Sequence, residues 1–168
     1  MAKNFDEIWK RTEAKLLAFK ENMPKEIGKD AQRFFVQSFS NQGFTDESFK
    51  PWKRREDLDS RRGKKFSTEK VNFFIKKKTR NTVRSVRRRA ILVKTGKLRS
   101  DVARSMKSAT WDRISFEVES DYAIYHNEGA KTKNGGELPR RQFMGNSAML
   151  NKRVLDLLNK KLEKVLTV

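Results

Sequence analysis

The stretch SMKSATWDRISFEVES, residues 105–120, decides the fold, because two short segments flank a polar turn around Asp112. In the second segment Ile114, Phe116 and Val118 alternate with polar residues, a pattern typical of a half-buried β-strand. The sequence therefore predicts a β-hairpin here, in a chain whose two ends have helical patterns instead.

Helical periodicity characterises the N-terminal part of the chain. From Asn4 to Asn22 apolar residues recur on one helix face, with Asn4 as N-cap and Glu7 three residues later. Pro24 is predicted to end this helix and to begin a second one. The apolar residues of the first helix are Phe5, Ile8, Trp9, Thr12, Leu16 and Phe19, and those of the second are Ile27, Ala31, Phe34, Phe35 and Phe39.

The second half of the chain alternates between turns and helices. A Thr95–Gly96 turn is predicted to precede a short helix through Leu98 and Val102, and Gly129 is predicted to end another short helix. Residues 146–166 form a last helix, whose apolar face is broad enough to pack against the sheet or a neighbouring subunit. We therefore expect an α+β fold with long N- and C-terminal helices on a small, mainly antiparallel sheet.

This organisation predicts a single domain over residues 1–168. Residues 1–42 hold the N-terminal helices, residues 50–94 an extended basic loop or insertion, and residues 95–168 the α+β core. Blocks of like charge repel each other in a packed core, so the middle part belongs on a loop or a solvated face.

Positive charge dominates the composition. The net charge is +19, from 40 Lys and Arg against 21 Asp and Glu, and residues 50–94 alone hold 18 cations against four acids, a local balance of +14. Self-repulsion on this scale predicts DNA or an acidic protein partner nearby, although a solvated loop that binds nothing would carry the same charge. The residues expected to make this contact are Lys53, Arg54, Arg55, Arg61, Arg62, Lys64, Lys65, Lys76, Lys77, Lys78, Arg80, Arg84, Arg87, Arg88 and Arg89.

The residue types of the chain give little indication of a catalytic site or a metal site. Cysteine is absent, which excludes disulfides and a cysteine nucleophile. His126, near Tyr122 and Glu128, has the residue type of a general base, but no nucleophile motif or second histidine accompanies it. No pair of residues has metal-ligand spacing and no phosphate loop is present, so we expect no metal, no cofactor and no catalysis. The N-terminus has no apolar run that predicts a signal peptide or a membrane span.

Four segments occur in a characteristic order. They are FKPWKRR at residues 49–55, ILVKTGKLRSDV at 91–102, SDYAIYHNEGA at 120–130 and LPRRQFMGNS at 138–147. In this order they resemble the phage virion morphogenesis family, the tail-completion or head-tail joining proteins of Mu-like and P2-like phages. Met144 stands where that family usually has leucine.

The resemblance implies structural roles for the motif residues. Phe143 is expected to pack in the core and Arg141 to pair with a carboxylate. The full set of motif residues is Trp52, Thr95, Gly96, Leu98, Tyr122, Ala123, His126, Gly129, Pro139, Arg141, Phe143 and Gly145.

The resemblance also implies a non-catalytic structural protein that forms a homo-oligomeric ring, a hexamer if it follows tail symmetry. Its partners would be portal, connector or tail proteins, with non-specific contact to packaged DNA. It would act in the host cytoplasm during assembly and at the virion neck or tail end. A sequence-independent nucleic-acid-binding protein is the first alternative, and a nuclease built around His126 and Glu128 is the second.

Overall fold

The computed structural model describes residues 2–53, 90–133 and 135–166, and helices alternate with short strands along this part of the chain. The predicted α+β class is confirmed, with a long helix at each end. In chain order the elements are α1 (Ala2–Asn41), β1 (Gly43–Thr45), β2 (Phe49–Pro51), α2 (Lys97–Ala103), β3 (Met106–Ala109), β4 (Ile114–Phe116), α3 (Ala123–Glu128), β5 (Ala130–Lys131), β6 (Glu137–Leu138) and α4 (Ala148–Leu166).

The first helix is continuous and contains Pro24 in its interior. The predictions of Asn4 as its N-cap and of Pro24 as the boundary between two helices are therefore wrong. A proline inside a helix removes one main-chain hydrogen bond and costs about 3 kcal/mol. Met23 and Pro24 are both buried, and the apolar surface that they remove from water offsets this cost.

The hydrophobic core is built on the C-terminal half of α1. Phe34 packs edge to face on Phe44 with ring centroids 6.0 Å apart, and Phe35 does the same on Phe116 at 5.5 Å. Such aromatic contacts add stability beyond their buried area. The other buried members of the core are Ala31, Phe39, Trp52, Ile91, Leu98, Val102, Ala123 and Phe143.

The strands of the described residues form three separate antiparallel pairs, β1 with β2, β3 with β4 and β5 with β6. The hairpin predicted within residues 105–120 is confirmed as β3 and β4, and its turn is closed by the Thr110 N–H, which donates to the Arg113 carbonyl at 2.9 Å. The β1–β2 and β5–β6 pairs were not predicted. Each strand there has only two or three residues, too few for an alternating pattern.

Gly28 allows the β3–β4 hairpin to lie close against α1. A Cβ at this position would lie 2.4 Å from the Met106 Sδ and 3.4 Å from Ile114. Glycine inside a helix costs about 1 kcal/mol relative to alanine. The close approach of the hairpin explains why a glycine is present at this position.

The last helix packs on α1 through one of its sides. The Arg153 guanidinium donates two hydrogen bonds of 2.7 Å to the Asp30 carboxylate, and Lys161 pairs with Glu26 at 2.6 Å. The predicted C-terminal helix is confirmed, although it begins at Ala148. Leucines on its other side remain exposed, namely Leu155, Leu162 and Leu166.

The first half of α1 extends beyond this packing, and we call residues 2–18 the N-terminal arm. Phe5 is 69% exposed and Trp9 is 64% exposed, and Ile8, Leu16 and Leu17 are also exposed. The arm ends where Phe19 meets Trp111 of the β3–β4 turn, with ring centroids 6.2 Å apart. The arm thus presents an apolar surface that the described part of the chain leaves uncovered.

Candidate functional site

Gln42, directly after α1, holds both flanks of the basic segment, which we define as residues 54–89. Its carbonyl accepts a hydrogen bond of 2.8 Å from the Trp52 N–H, and its side-chain oxygen accepts one from the Ile91 N–H. Its side-chain amide donates to the Phe39 carbonyl at 2.5 Å. These bonds form the Gln42 junction, where the chain enters and leaves the basic segment.

Trp52 connects the first motif to the last. Its indole N–H donates a hydrogen bond of 2.7 Å to the Gln142 carbonyl, and its ring packs edge to face on Phe39 with centroids 5.6 Å apart. The side chain is buried. This aromatic residue of the first motif is therefore part of the core.

Arg141 joins the last motif to the start of the basic segment and to α3. Its Nε and Nη2 atoms each donate to the Lys53 carbonyl at 3.3 Å, and its main-chain N–H donates to the His126 carbonyl at 2.8 Å. The side chain is only 7% exposed. Among the described contacts its acceptor is a main-chain carbonyl, and the pairing with a carboxylate stays a prediction.

Asn127 fixes the chain around Phe143, a role that no sequence pattern predicts. Its side-chain oxygen accepts hydrogen bonds from the main-chain N–H groups of Phe143 at 3.0 Å and Met144 at 3.1 Å. Phe143 is 1% exposed and its ring lies 5.3 Å from that of Phe39. The prediction that Phe143 packs in the core is confirmed. The only sequence signal for Asn127 is its place between His126 and Glu128.

Asp101 and Ser120 form a second buried polar contact that the sequence analysis missed. The Ser120 hydroxyl donates to the Asp101 carboxylate, and Arg104 lies 3.3 Å from its other oxygen. The hydrogen bond from Ser120, together with Arg104 and Lys97, lowers the pKa of Asp101, although burial acts in the opposite direction. This contact ties α2 to the segment that leads into α3.

The remaining motif residues shape turns and helix ends. Gly96 has a φ of +77°, and the turn that it makes places Leu98 in the core, as predicted. Gly129 ends α3 with a φ of +84°, and a Cβ there would lie 3.0 Å from the Leu138 carbonyl. Ala123 is buried, whereas Thr95 and Gly145 are exposed and Pro139 is half-buried.

Two cavities adjoin α3, one on each side of the helix. One, of about 340 Å³, is lined by Val118, Ser120, Asp121, Ala123, Ile124, Asn127, Phe143 and Met144. The other, of about 290 Å³, is lined by Ile91, Leu92, Lys94, Thr95, Lys97, Leu98, Tyr122, His126 and Arg141. We call the second one the basic cavity, because three of its lining side chains are cations.

His126 lines the basic cavity and stacks edge to face with Tyr122, with ring centroids 5.9 Å apart. Its Nδ1 atom is buried and has no hydrogen-bond partner in the part of the chain that the structure describes. Burial of the ring, and secondarily the nearby Arg141 charge, lower the pKa of His126 below 6.5. The ring is therefore neutral at pH 7.

The pKa of His126 is expected to lie below 6.5 in the folded protein. Because the unfolded chain takes up this proton first, the stability that His126 contributes is complete above pH 6.5. It is lost as the pH falls from there through the folded pKa. His126 is the chain's sole histidine, so its ring signals in a proton NMR titration can be assigned directly. A pKa at or above 6.5 would contradict the observed burial.

Of the cations predicted to contact DNA or an acidic partner, the structure places only Lys53, which is exposed within the first motif. Its carbonyl is the acceptor for Arg141. The others lie outside the described residues, namely Arg54, Arg55, Arg61, Arg62, Lys64, Lys65, Lys76, Lys77, Lys78, Arg80, Arg84, Arg87, Arg88 and Arg89.

Comparisons of the chain with protein-family models, with curated proteins and with solved structures find no match. The family resemblance therefore rests on the four motifs alone and stays a prediction.

Within residues 2–53, 90–133 and 135–166, no group of three or more His, Asp or Glu side chains is arranged to hold a metal ion. No helix within them has the length and apolar character needed to cross a membrane.

Proposed function

We propose that this protein is a structural, non-catalytic component of a phage or prophage virion, which joins head to tail or completes the tail as part of a ring. The observation that carries this proposal is that the four motif segments meet in one packed cluster. Trp52 bonds to Gln142, Arg141 bonds to Lys53 and Asn127 holds Phe143. The second segment joins them through Asp101, which accepts a hydrogen bond from Ser120 of the third segment. The cluster supports the family resemblance because motif residues that are far apart in sequence contact each other in the folded chain.

The motif residues in this cluster serve the scaffold. Phe143 fills the core, Gly129 makes a turn and the buried guanidinium of Arg141 bonds to a main-chain carbonyl. Side chains that are committed to main-chain hydrogen bonds and core packing are suited to holding a shape. Their arrangement therefore supports an assembly role.

The Gln42 junction brings the two flanks of the basic segment to the same place on this scaffold. Residues 54–89 hold 15 Lys and Arg against four acids. Such a concentration of cations attracts phosphates or acidic protein surfaces without reading a base sequence. The scaffold thereby fixes the two flanks between which the basic segment lies in the sequence.

Exposed apolar surfaces on the helices favour the association of several copies of the chain into a ring. In the N-terminal arm and just beyond it, Phe5, Trp9, Thr12, Leu16 and Phe19 follow one another at spacings of four and three residues, as in helices that pack along a shared seam. Between residues 5 and 22 four acids balance four cations, so this surface lacks the repulsion expected elsewhere in a chain of net charge +19. Contacts between different surfaces of neighbouring copies form a ring when the rotation from one copy to the next closes on itself.

The mass of the purified protein in solution tests this proposal. Light scattering at low and high salt is expected to give a closed oligomer, of about 120 kDa for six copies of the 19.7 kDa chain. Electron microscopy of the same sample should show rings. A monomer at every salt concentration that binds duplex DNA with a steep salt dependence would favour the nucleic-acid-binding alternative instead.

Neutralising part of the basic segment is expected to leave folding intact but to reduce virion joining about tenfold or more, because its cations serve contact with a partner or DNA rather than the core. The measurement is the infectious titre of a phage that encodes the variant. The substitutions, all to Gln, are at Lys76, Lys77, Lys78, Arg87, Arg88 and Arg89.

A matched control removes the same number of charges from exposed positions of α1 and α4. These substitutions to Gln are at Lys20, Lys25, Lys29, Lys152, Lys160 and Lys164. An equally reduced titre for the two variants would show that total charge matters and that the position of the basic segment does not. An unchanged titre for the basic-segment variant would contradict the proposal.

A further inference from the structure

We propose that the N-terminal arm of one copy packs on the α4 of a neighbouring copy, along the surface formed by Leu155, Leu162 and Leu166. We call these three residues the α4 leucine surface. The inference rests on the proposed function, because it names the two surfaces that would join the copies of a ring. One contact of this kind would cover apolar residues of both terminal helices that the described part of the chain leaves exposed.

The N-terminal arm continues the side of α1 that already packs on α4 within one copy. Trp9, Leu16 and Met23 follow one another at intervals of seven residues, which is two helical turns, so they lie on the same side of α1. Met23 is buried, and Asp30, seven residues further on, binds Arg153 of α4. Over the arm this side of α1 is exposed. A second α4 therefore fits the side of the helix to which the first is bound.

The α4 helix has an apolar surface that its contact with α1 does not use. None of its residues from 148 to 166 is buried within the part of the chain that the structure describes. Leu155 is 59% exposed, and Leu162 and Leu166 follow it after seven and four residues, the spacing of a helix seam. Moving such side chains from water into a contact between helices is favourable. A further helix on this surface would complete the burial of α4.

The two surfaces match in length and in spacing. Phe5 to Leu16 in the arm and Leu155 to Leu166 in α4 each cover eleven residue steps, about 16 Å of helix. Along this distance the apolar residues of both helices recur at three, four or seven residues. This is the pattern of two helices that pack side by side at a small crossing angle.

The distribution of charge favours the arm over a second α4 as the occupant of the α4 leucine surface. Residues 148–166 hold five cations and two acids, so two such helices facing each other would repel. Residues 5–22 hold four of each and have no net charge. An arm on another arm would also avoid repulsion, but it uses the same surface twice and closes at two copies. An arm on α4 uses two different surfaces, as a ring requires.

The test mixes two full-length variants, each of which has lost one of the two surfaces. Trp9→Glu alters the arm and keeps the α4 leucine surface, whereas Leu155→Glu alters that surface and keeps the arm. Each variant alone is expected to be a monomer by light scattering. Their equimolar mixture should give a particle of about 39 kDa, two copies of the 19.7 kDa chain, because one intact arm meets one intact α4 and no further contact can form.

Met149→Glu is the matched control for α4. This residue is 45% exposed, and it lies on another side of the helix from Leu155 because six residues are about one and two-thirds turns. The substitution makes the same change from an apolar side chain to a charge, and the variant should assemble like the unmodified chain. Circular dichroism of every variant verifies that it is folded, as expected for substitutions at exposed positions.

Two results would overturn the inference. One is normal assembly of Leu155→Glu alone, which would show that the arms bind each other or another surface. The second is a mixture that stays monomeric at concentrations far above those at which the unmodified protein assembles. If Leu155→Glu forms the same rings as the unmodified chain, the inference fails and the proposed function stands. If the mixture dimerises but the unmodified protein has the mass of two copies, the ring proposal fails and the contact between arm and α4 stands.

Discussion

Replacing Phe143 with alanine is expected to lower the free energy of unfolding by about 3–5 kcal/mol, the usual cost of removing a fully buried phenylalanine. The ring is 1% exposed and packs on Phe39 in the motif cluster. Domains of this size are stable by only about 5–15 kcal/mol. The substitution should therefore remove a large part of the total and lower the melting temperature by roughly 10 °C.

Denaturant unfolding followed by circular dichroism measures this loss. The matched control is Tyr125→Ala, which removes an aromatic ring of similar size from an exposed position of α3 in the third motif segment. Its effect should stay within about 0.5 kcal/mol. A loss for Phe143→Ala no larger than that of the control would mean that the last motif does not belong to the core.

Replacing Trp9 with glutamate is expected to convert the assembled protein to monomers while leaving the folded monomer as stable as before. The side chain is 64% exposed in a single copy, so the substitution removes little packing within the chain. In a helix seam between copies it would bury a charge without a partner, which costs several kcal/mol at each contact. The change in mass, measured by light scattering, should therefore be nearly complete.

Ala14→Glu introduces the same charge on the same helix, at an exposed position away from Phe5, Trp9 and Leu16. This control should assemble like the unmodified chain. If Trp9→Glu also assembles normally, the N-terminal arm is not part of the interface. The exposed leucines of α4 would then be the next surface to substitute.

Local patterns were sufficient to predict much of this fold. The alternation of Ile114, Phe116 and Val118 gave the β3–β4 hairpin, and the glycines at 96 and 129 marked the start and end of short helices. These features depend on residues close together in the chain, where side-chain period and backbone freedom act directly.

Pro24 was misjudged because its effect depends on tertiary context. Proline usually ends a helix, yet here Met23 and Pro24 are buried against the rest of the chain and the helix continues to Asn41. The gain from this burial depends on elements far away in sequence, so no local pattern contains it.

The sequence was sufficient to predict which apolar residue of the candidate site is buried. It was not sufficient to predict the hydrogen bonds between polar residues of the site. Phe143 was expected to pack in the core, and it does. The bond from Ile91 to Gln42 and the bonds to Asn127 join residues far apart in sequence, and a single glutamine or asparagine gives no periodic signal. Such contacts follow only from the folded arrangement.

Pro24 and Gly28 place the two residue types least suited to a helix four positions apart, where α1 passes from the N-terminal arm to the core. Unwinding residues 2–18 uncovers little apolar surface, because the side chains of the N-terminal arm are already exposed, whereas unwinding beyond Met23 breaks the core. One continuous helix thus consists of two cooperative units with different local stabilities. The arm can fray and re-form within each copy while the remainder of the molecule stays folded.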